Sequence, residues 1–275
     1  STGITRLNIF TGAVVGDSFA VDGGLSSSPM LASNGSLIFA SRDALYRVTT
    51  DLNVLWTCRM EDTIFASSPL LSSDGIMIIG SDSEMLTAIQ MFDKVAESMD
   101  RSTAVDNCAD MALWEFEAGG PIRSTPLLDD KNHVIFGSRD GHIRAVDLHT
   151  GSELWDYDAG DTDFDSSPAL TPYGMSVFVA STDGILANLG VDTGVMDGAN
   201  YAPGRLMWNV TVGSSSAASD LKITSSPAVD ASGNVYVATQ GGEVVSYTSQ
   251  GAERWRADTG DSFERSSMAI GGEGG

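Results

Sequence analysis

The sequence predicts an all-β fold, a β-propeller of four-stranded blades, and two repeated features lead to this prediction. A Ser/Thr-Ser/Thr-Pro triplet recurs along the chain, and each copy is followed by a turn and a short apolar, β-branched run. One tryptophan follows each run, so that all five tryptophans occupy the same slot of the repeat. One packing role repeated at a period of roughly 40 residues is typical of radial sheets that contact only their neighbours.

The repeat assigns a strand to each of its parts. The triplets mark the first strands, the apolar runs the second strands, and the tryptophans the fourth strands. The triplet prolines are Pro29, Pro69, Pro126, Pro168 and Pro227, and Ser266-Ser267-Met268 is a sixth, altered copy. The tryptophans are Trp56, Trp114, Trp155, Trp208 and Trp255.

Two proline-to-tryptophan intervals are longer than the rest, which predicts insertions before the fourth strand at about residues 91–113 and 195–206. The apolar positions of residues 91–99 suit a short amphipathic helix. The second insertion has the composition of a loop.

The two ends of the chain are partial repeats. The segment from Ile4 to Gly12 aligns with the segment from Ile143 to Gly151, so the chain opens in a third strand, and it ends in a first strand near Ile270. Five full repeats with a partial one at each end predict one domain over residues 1–275, with about six blades. Residues 271–275 have almost no side chains to pack, so we expect the chain to be a portion of a longer polypeptide and of a larger propeller.

The third repeat carries a specific resemblance. The segment Ala145-Val-Asp147-Leu-His-Thr150-Gly151-Ser-Glu-Leu-Trp155 fits A-x-D-x-x-T-G-x-x-x-W at every defined position. This pattern resembles the tryptophan-docking motif of the pyrroloquinoline quinone (PQQ) dehydrogenase superfamily, in which each tryptophan stacks on the peptide plane of a neighbouring motif.

The resemblance implies a structural girdle that joins the blades. It would consist of the five tryptophans together with Ala145, Asp147, Thr150 and Gly151. The other copies depart from the pattern. At the position of Asp147, two other copies have Gln90 and Leu189. At the position of Gly151, one copy has Gly251, whereas the first copy has Asn53.

The charge of the chain excludes some partners and favours others. There are 37 acidic and 15 basic residues, which give a formal net charge of -22. Such a surface repels a phosphate backbone, so we expect no binding to nucleic acid. It favours a protein partner that is basic. No apolar run is long enough to span a bilayer.

The two cysteines, Cys58 and Cys108, leave two alternatives open. Each lies close to a repeat tryptophan, so neighbouring blades can bring them together as a disulfide. Two unpaired thiols are the other possibility, because two cysteines define no disulfide framework.

The resemblance also raises the question of catalysis. The dehydrogenases hold PQQ and a calcium ion over the propeller axis, and many have a disulfide between adjacent cysteines. This chain has no Cys-Cys pair and no set of Asn and Asp residues that matches the calcium and base positions. We therefore assign no catalytic, cofactor or metal residues. The stretch from Asp161 to Asp165 begins like a calcium loop but lacks its turn glycine and its glutamate, so we expect three solvated carboxylates in a loop between blades.

These observations favour a noncatalytic propeller that binds a protein or a ligand on its loop faces. It is similar to the assembly lipoproteins of bacterial outer membranes and to the luminal sensor domains of stress kinases. Two alternatives are a segment of a PQQ-dependent dehydrogenase, which would need PQQ and calcium, and an extracellular sensor domain of a larger receptor. The habit of the family and the charge predict an extracytoplasmic location.

Overall fold

The computed structural model describes residues 3–21, 24–42, 44–59, 65–91, 108–196, 199–213, 218–263 and 268–271. In these residues nearly all regular structure is β-strand; a 3₁₀ turn spans Cys108–Met111 and one short helix, α1, spans Ala218–Leu221. The chain divides into two compact units, residues 1–117 and 118–275. Whether they form one domain stays a prediction.

The first unit contains a hairpin and two four-stranded antiparallel sheets. The N-terminal hairpin pairs β1 (Gly3–Ile4) with β2 (Phe19–Ala20). Sheet 1 consists, in order, of β3 (Met30–Leu31), β4 (Leu37–Ala40), β5 (Ala44–Val48) and β6 (Val54–Arg59). Sheet 2 consists of β7 (Leu70–Leu71), β8 (Ile76–Gly80), β9 (Met85–Gln90) and β10 (Ala112–Glu117).

The second unit contains three more sheets of the same design. Sheet 3 consists of β11 (Leu127–Leu128), β12 (His133–Gly137), β13 (His142–Asp147) and β14 (Glu153–Asp158). Sheet 4 consists of β15 (Ala169–Leu170), β16 (Ser176–Ala180), β17 (Ile185–Gly190) and β20 (Leu206–Thr211). Sheet 5 consists of β21 (Ala228–Val229), β22 (Val235–Ala238), β23 (Glu243–Tyr247) and β24 (Glu253–Asp258).

The sequence pattern of each strand follows its place in the sheet. Second strands such as β8 are buried at every position, and they are continuous apolar runs because both of their faces are covered. Fourth strands are outermost, and in β10 exposed and partly covered side chains alternate, with Glu115 and Glu117 outward and Trp114 and Phe116 inward. Each blade is therefore apolar at its centre and polar at its rim.

Both longer intervals fall between a third and a fourth strand. The first separates β9 from β10, and its predicted helix over residues 91–99 lies outside the described residues except for Met91. The second separates β17 from β20 and contains β18 (Gly194–Met196), which pairs with β19 (Ala199–Tyr201). It is thus a small β-ribbon and not a plain loop, because the segment folds back and pairs its own backbone.

The strand register corrects two of the predicted equivalences. In the first copy Leu52, and not Asn53, takes the place of Gly151: Leu52 has a φ of 63°, and its N–H donates to the carbonyl of Thr49. In sheet 4 Gly190, and not Leu189, takes the place of Asp147, because it pairs with the first residue of the second strand. The physical reason is that the connecting turns differ by one residue, which spacing alone does not reveal.

A disulfide joins Cys58 on β6 to Cys108 on the 3₁₀ turn before β10. Both cysteines are buried, in a cluster that also contains Trp56, Phe65 and Met91. The end of the first insertion is therefore fixed to sheet 1 by a covalent bond inside the core.

Replacing both cysteines, as Cys58→Ala with Cys108→Ala, should destabilise the first unit by about 4 kcal/mol, because a bond across 50 residues restricts the unfolded chain. The free energy of unfolding from urea titrations measures this. The oxidised and reduced wild-type protein serve as controls, and an unchanged unfolding midpoint in all three samples would contradict the prediction.

Candidate interaction site

The first serine of each triplet holds the second strand of its own sheet. Ser124 Oγ donates to the carbonyl of Gly137 at 2.8 Å and accepts the N–H of the same residue at 2.9 Å. Ser166 and Ser225 donate in the same way to Ala180 and Ala238. These serines are buried. Their hydroxyls are occupied by the backbone, so their role is structural.

The second residue of the triplet connects one sheet to the next. The N–H of Thr125 donates to Ser167 Oγ at 2.9 Å, and the N–H of Ser167 donates to Ser226 Oγ at 3.1 Å. In the first unit the N–H of Ser28 donates to Ser68 Oγ at 3.0 Å. Within each unit, the triplets thus join the first strands of consecutive sheets by hydrogen bonds.

Two tryptophans of the second unit lie against a turn of the following sheet. A Cβ placed on Gly251 would lie 2.8 Å from the Trp208 ring, and Trp208 Nε1 donates to the carbonyl of Ser249 at 2.9 Å. A Cβ on Gly204 would lie 3.0 Å from the Trp155 ring. These contacts are of the kind that tryptophan docking requires.

The other three tryptophans differ in exposure. Trp56 is buried, Trp114 is partly buried and Trp255 is 43% exposed. A girdle that includes all five tryptophans stays a prediction.

Asp147 organises the turn that carries the docking motif. Its Oδ1 accepts the N–H of His149 at 3.1 Å, and the N–H and hydroxyl of Thr150 at 2.8 and 2.9 Å. Gly151 follows with a φ of 68°. Partial burial acts to raise the pKa of Asp147, but the hydrogen bonds from Thr150 and His149 outweigh it and hold the pKa below its usual range.

The second unit contains a polar cavity of about 510 Å³ beside the inner strands of three consecutive sheets. Its walls come from the residues just before the triplets and just after the second strands. They are Arg139, Asp163, Asp165, Thr182, Lys222, Thr224 and Gln240.

An ion pair forms one wall of the cavity. Arg139 Nε and Nη2 contact the two carboxylate oxygens of Asp165 at 2.7 and 2.5 Å, and Asp163 lies 3.7 Å from the same Nε. Phe164 between them is buried, because an extended chain sends alternate side chains to opposite sides. The expectation of three solvated carboxylates is therefore wrong for Asp165, whose side chain is only 13% exposed.

The remaining lining residues add a cationic group and neutral hydrogen-bonding groups. Lys222 is exposed, and Thr224 and Gln240 lie beside it. Asp163, with a side chain 42% exposed, offers a carboxylate to the solvent. The lining contains anionic carboxylates, cationic side chains and neutral hydrogen-bonding groups, but neither a histidine nor a cysteine. This arrangement suits recognition of polar, charged groups.

The sequence did not indicate this cavity. Its residues are scattered from position 139 to position 240, and none of them belongs to the repeat pattern. One signal was available: the residue before the triplet varies, from Ser26 and Ala66 to Arg123, Asp165 and Thr224, whereas the first serine of the triplet is constant.

Metal-ligating side chains are dispersed in the part of the chain that the structure describes. Among them no group of three or more His, Cys, Asp or Glu side chains is placed to hold a metal ion. Arg139 in the cavity is already paired with Asp165. We therefore derive no step that involves PQQ or calcium. In the same part of the chain, no helix has the length and hydropathy to cross a bilayer.

Comparisons with known proteins give a family and a fold. A family model described as outer membrane protein assembly factor BamB matches residues 94–200 and 198–272, well over half of the chain. The crystal structure of BamB from Moraxella catarrhalis matches with a TM-score of 0.57 at 15% identity, over 94% of this chain and 83% of that chain. The predicted fold class, an all-β propeller, is confirmed.

A second sequence match covers only a short stretch of the chain. A stretch of 48 residues is 43% identical to an uncharacterized protein of Methanocaldococcus jannaschii. The match covers 18% of this chain and 6% of that protein, so the chain spans much less than two thirds of this relative.

Gly251→Ala should be more destabilising than Gly260→Ala, although both glycines have a positive φ. The backbone strain costs about 1 kcal/mol at each position, but only at Gly251 does the new Cβ meet the Trp208 ring. That clash should add about 1 to 3 kcal/mol. Urea unfolding measures both free energies, and equal losses would show that Trp208 does not press on this turn.

Asp147→Ala should lower stability at neutral pH by about 1 kcal/mol, because the turn loses its acceptor. The folded-state pKa is depressed, so the stabilisation is complete above the unfolded pKa of about 3.9 and is lost as the pH falls through the folded value. The difference in Tm from wild type should shrink as the pH falls below about 4.

Asp147→Asn is the matched control, because it keeps an acceptor and removes the charge. It should lose less at pH 7 than the alanine variant. A Tm difference for Asp147→Ala that stays constant down to pH 2 would refute this account of the turn.

Proposed function

The chain belongs to the BamB family of PQQ-like β-propellers, and on this basis we propose that it is a noncatalytic scaffold that binds a partner protein at the cavity of residues 118–275. The description of the family names a factor in outer membrane protein assembly. A scaffold role in the assembly of other proteins is the function that this description and the site support best.

The observation that carries the proposal is the composition of the cavity. Lys222 offers an ammonium group, Asp163 an exposed carboxylate, and Thr182, Thr224 and Gln240 offer hydroxyl and amide groups. A polypeptide segment presents the complementary groups in its backbone and charged side chains. These residues lie in connecting segments, whose sequence can vary, and the rigid sheets on either side hold them in position.

We propose that the partner is basic. The net charge of -22 gives an attractive field for a basic protein and speeds its encounter with this chain. Near the cavity Asp163 and Asp183 are solvent-accessible, and Asp161 is exposed as well. Binding to nucleic acid is opposed by the same field.

The disulfide supports an extracytoplasmic location, because such bonds form and persist in oxidising compartments. Our proposal includes no cofactor. The two other interpretations, a dehydrogenase segment and a sensor domain of a larger receptor, receive no support from a specific contact in the part of the chain that the structure covers.

Photo-crosslinking in the source cells tests the proposal. A photoreactive amino acid at Thr182 reports on the cavity. One at Tyr173, which is 86% exposed in the turn between β15 and β16, reports on the other end of the same sheet. We expect a crosslink to a basic protein from position 182 and none to the same protein from position 173.

Asp163→Asn should reduce the crosslink from position 182 several-fold at low salt, because it removes the exposed carboxylate of the cavity. Asp130→Asn is the matched control, since it removes one exposed charge from the turn between β11 and β12. Equal crosslinking from positions 173 and 182, or equal effects of the two substitutions, would rule out the cavity as the binding site.

A further inference from the structure

We propose that the partner protein inserts a serine or threonine side chain into a cleft between sheets 3 and 4. The inference rests on the proposed function and deepens it, because the cleft adjoins the cavity and restricts which residue of the partner fits there. The cleft has a volume of about 50 Å³. Its walls include Tyr157, Thr162, Phe164, Ser181, Ile185 and Asn209.

An extended segment of the chain separates the cleft from the cavity. Asp163 and Asp165 line the cavity, whereas Thr162 and Phe164 line the cleft. The two pairs face opposite ways because side chains alternate along an extended chain. One segment therefore presents carboxylates to the cavity and uncharged side chains to the cleft.

The turn after β16 divides in the same way. Ser181 lines the cleft, and Thr182 lines the cavity. The N–H of Thr182 donates to the carbonyl of Asp163 at 2.9 Å, which joins this turn to the extended segment. We call residues 162–165 together with 181–182 the shared wall. A partner segment that lies across the shared wall reaches the cavity and the cleft at the same time.

Thr162 leaves a hydrogen-bonding group unused inside the cleft. Its Oγ1 atom is buried and has no hydrogen-bond partner among the residues that the structure describes. A buried hydroxyl without a partner is unfavourable, and native proteins keep few of them. The neighbouring hydroxyl of Ser181, by contrast, accepts the N–H of Ile185 at 3.3 Å. Thr162 is therefore the group in the cleft that gains most from a polar atom of the partner.

The rim of the cleft is accessible to a partner. Ile185 is 36% exposed, and Ala159 and Asn209 are exposed as well. Deeper in the cleft, Phe164 and Ala187 are only 3% and 4% exposed. The cleft thus leads from solvent to an apolar base.

The size and the charge of the cleft limit its occupant. A volume of about 50 Å³ is less than roughly two water molecules fill in the liquid, so a leucine or aromatic side chain is too large. The lining side chains are uncharged in the part of the chain that the structure covers. A lysine or glutamate inserted here would lose its hydration without gaining a partner charge.

The hydroxyl of Thr162 completes the selection. An aliphatic side chain of the right size would fill the space but leave this hydroxyl without a hydrogen bond. A serine or threonine fits the volume, carries no charge and supplies both a donor and an acceptor. The methyl group of a threonine also matches the apolar lining of Phe164, Ile185 and Ala187.

Photo-crosslinking from the rim of the cleft tests this inference in the source cells. A photoreactive amino acid at Asn209 should capture the same protein as one at Thr182. Mass spectrometry of the crosslinked peptide should place the attachment beside a serine or threonine of the partner.

Thr162→Val keeps the shape of the side chain and removes the hydroxyl. It should reduce the crosslink from position 182 by about three- to tenfold. The loss should be the same at low and high salt, because a neutral hydrogen bond is not screened, whereas the effect of Asp163→Asn should fade as salt rises. Thr193→Val, at an exposed position near the other end of sheet 4, is the matched control and should leave the crosslink unchanged.

Two further measurements separate binding from a structural role. Thr162→Val should not lower the Tm of the purified chain, because the hydroxyl has no hydrogen bond to lose there. Changing the captured serine or threonine of the partner to alanine should weaken the crosslink, and adding Thr162→Val to that change should cost little more, since both remove the same contact.

The possible failures are distinguishable. If position 182 captures no partner, the proposed function fails and this inference fails with it. If position 182 captures a partner, the function stands, and the inference alone is overturned by any of three results. They are a different protein or none captured from position 209, an attachment remote from any serine or threonine, and a crosslink that Thr162→Val leaves unchanged.

Discussion

The hydroxyl groups of the triplet serines are the interaction on which the blades depend. Each inner strand is only two residues long, so β11 has just two paired residues to hold it to β12. Ser124 makes two more hydrogen bonds, to the C=O and the N–H of Gly137 at the end of β12. Ser167 Oγ accepts the N–H of Thr125 in the preceding sheet. Without such bonds the short inner strands would have too few backbone partners to remain paired. Side-chain hydroxyls thus supply hydrogen bonds that the two-residue first strands cannot make with their own backbone.

The fixed position of the triplet serines also explains where the cavity lies. In the second unit, the second residue after a second strand donates its N–H to the carbonyl of the residue three positions before the first serine, as Thr182 does to Asp163 and Gln240 does to Lys222. This repeated backbone contact places two variable side chains per sheet next to one another. The triplet is fixed by its structural role, whereas the neighbouring positions are not, and so they can carry Arg139, Asp165 or Thr224. A constant framework therefore presents a changing set of groups, which is the arrangement that recognition requires.

The sequence predicted the architecture better than the site, and particular residues show why. The tryptophans and prolines recur because each blade needs the same packing, so their spacing was enough to predict four-stranded sheets. The motif around Asp147 was readable because its bonds are local, within three residues. Spacing did not separate Leu52 from Asn53, because a turn one residue shorter leaves no mark on the pattern. The pairing of Asp165 with Arg139, 26 residues away, depends on how two sheets meet, and so does the bond between Cys58 and Cys108. No local rule contains that information.

Both insertions enter just before an outermost strand, and this position has a meaning for how such proteins change. The fourth strand is paired on one edge and its outward side chains meet water, so extra chain can leave and return there while the apolar centre stays as it is. The ribbon of β18 and β19 occupies such a place, and β20 still pairs with β17 along its length. The rim between third and fourth strands is thus the position at which a foreign domain or affinity tag can be built into the protein, and at which natural lineages can acquire new segments.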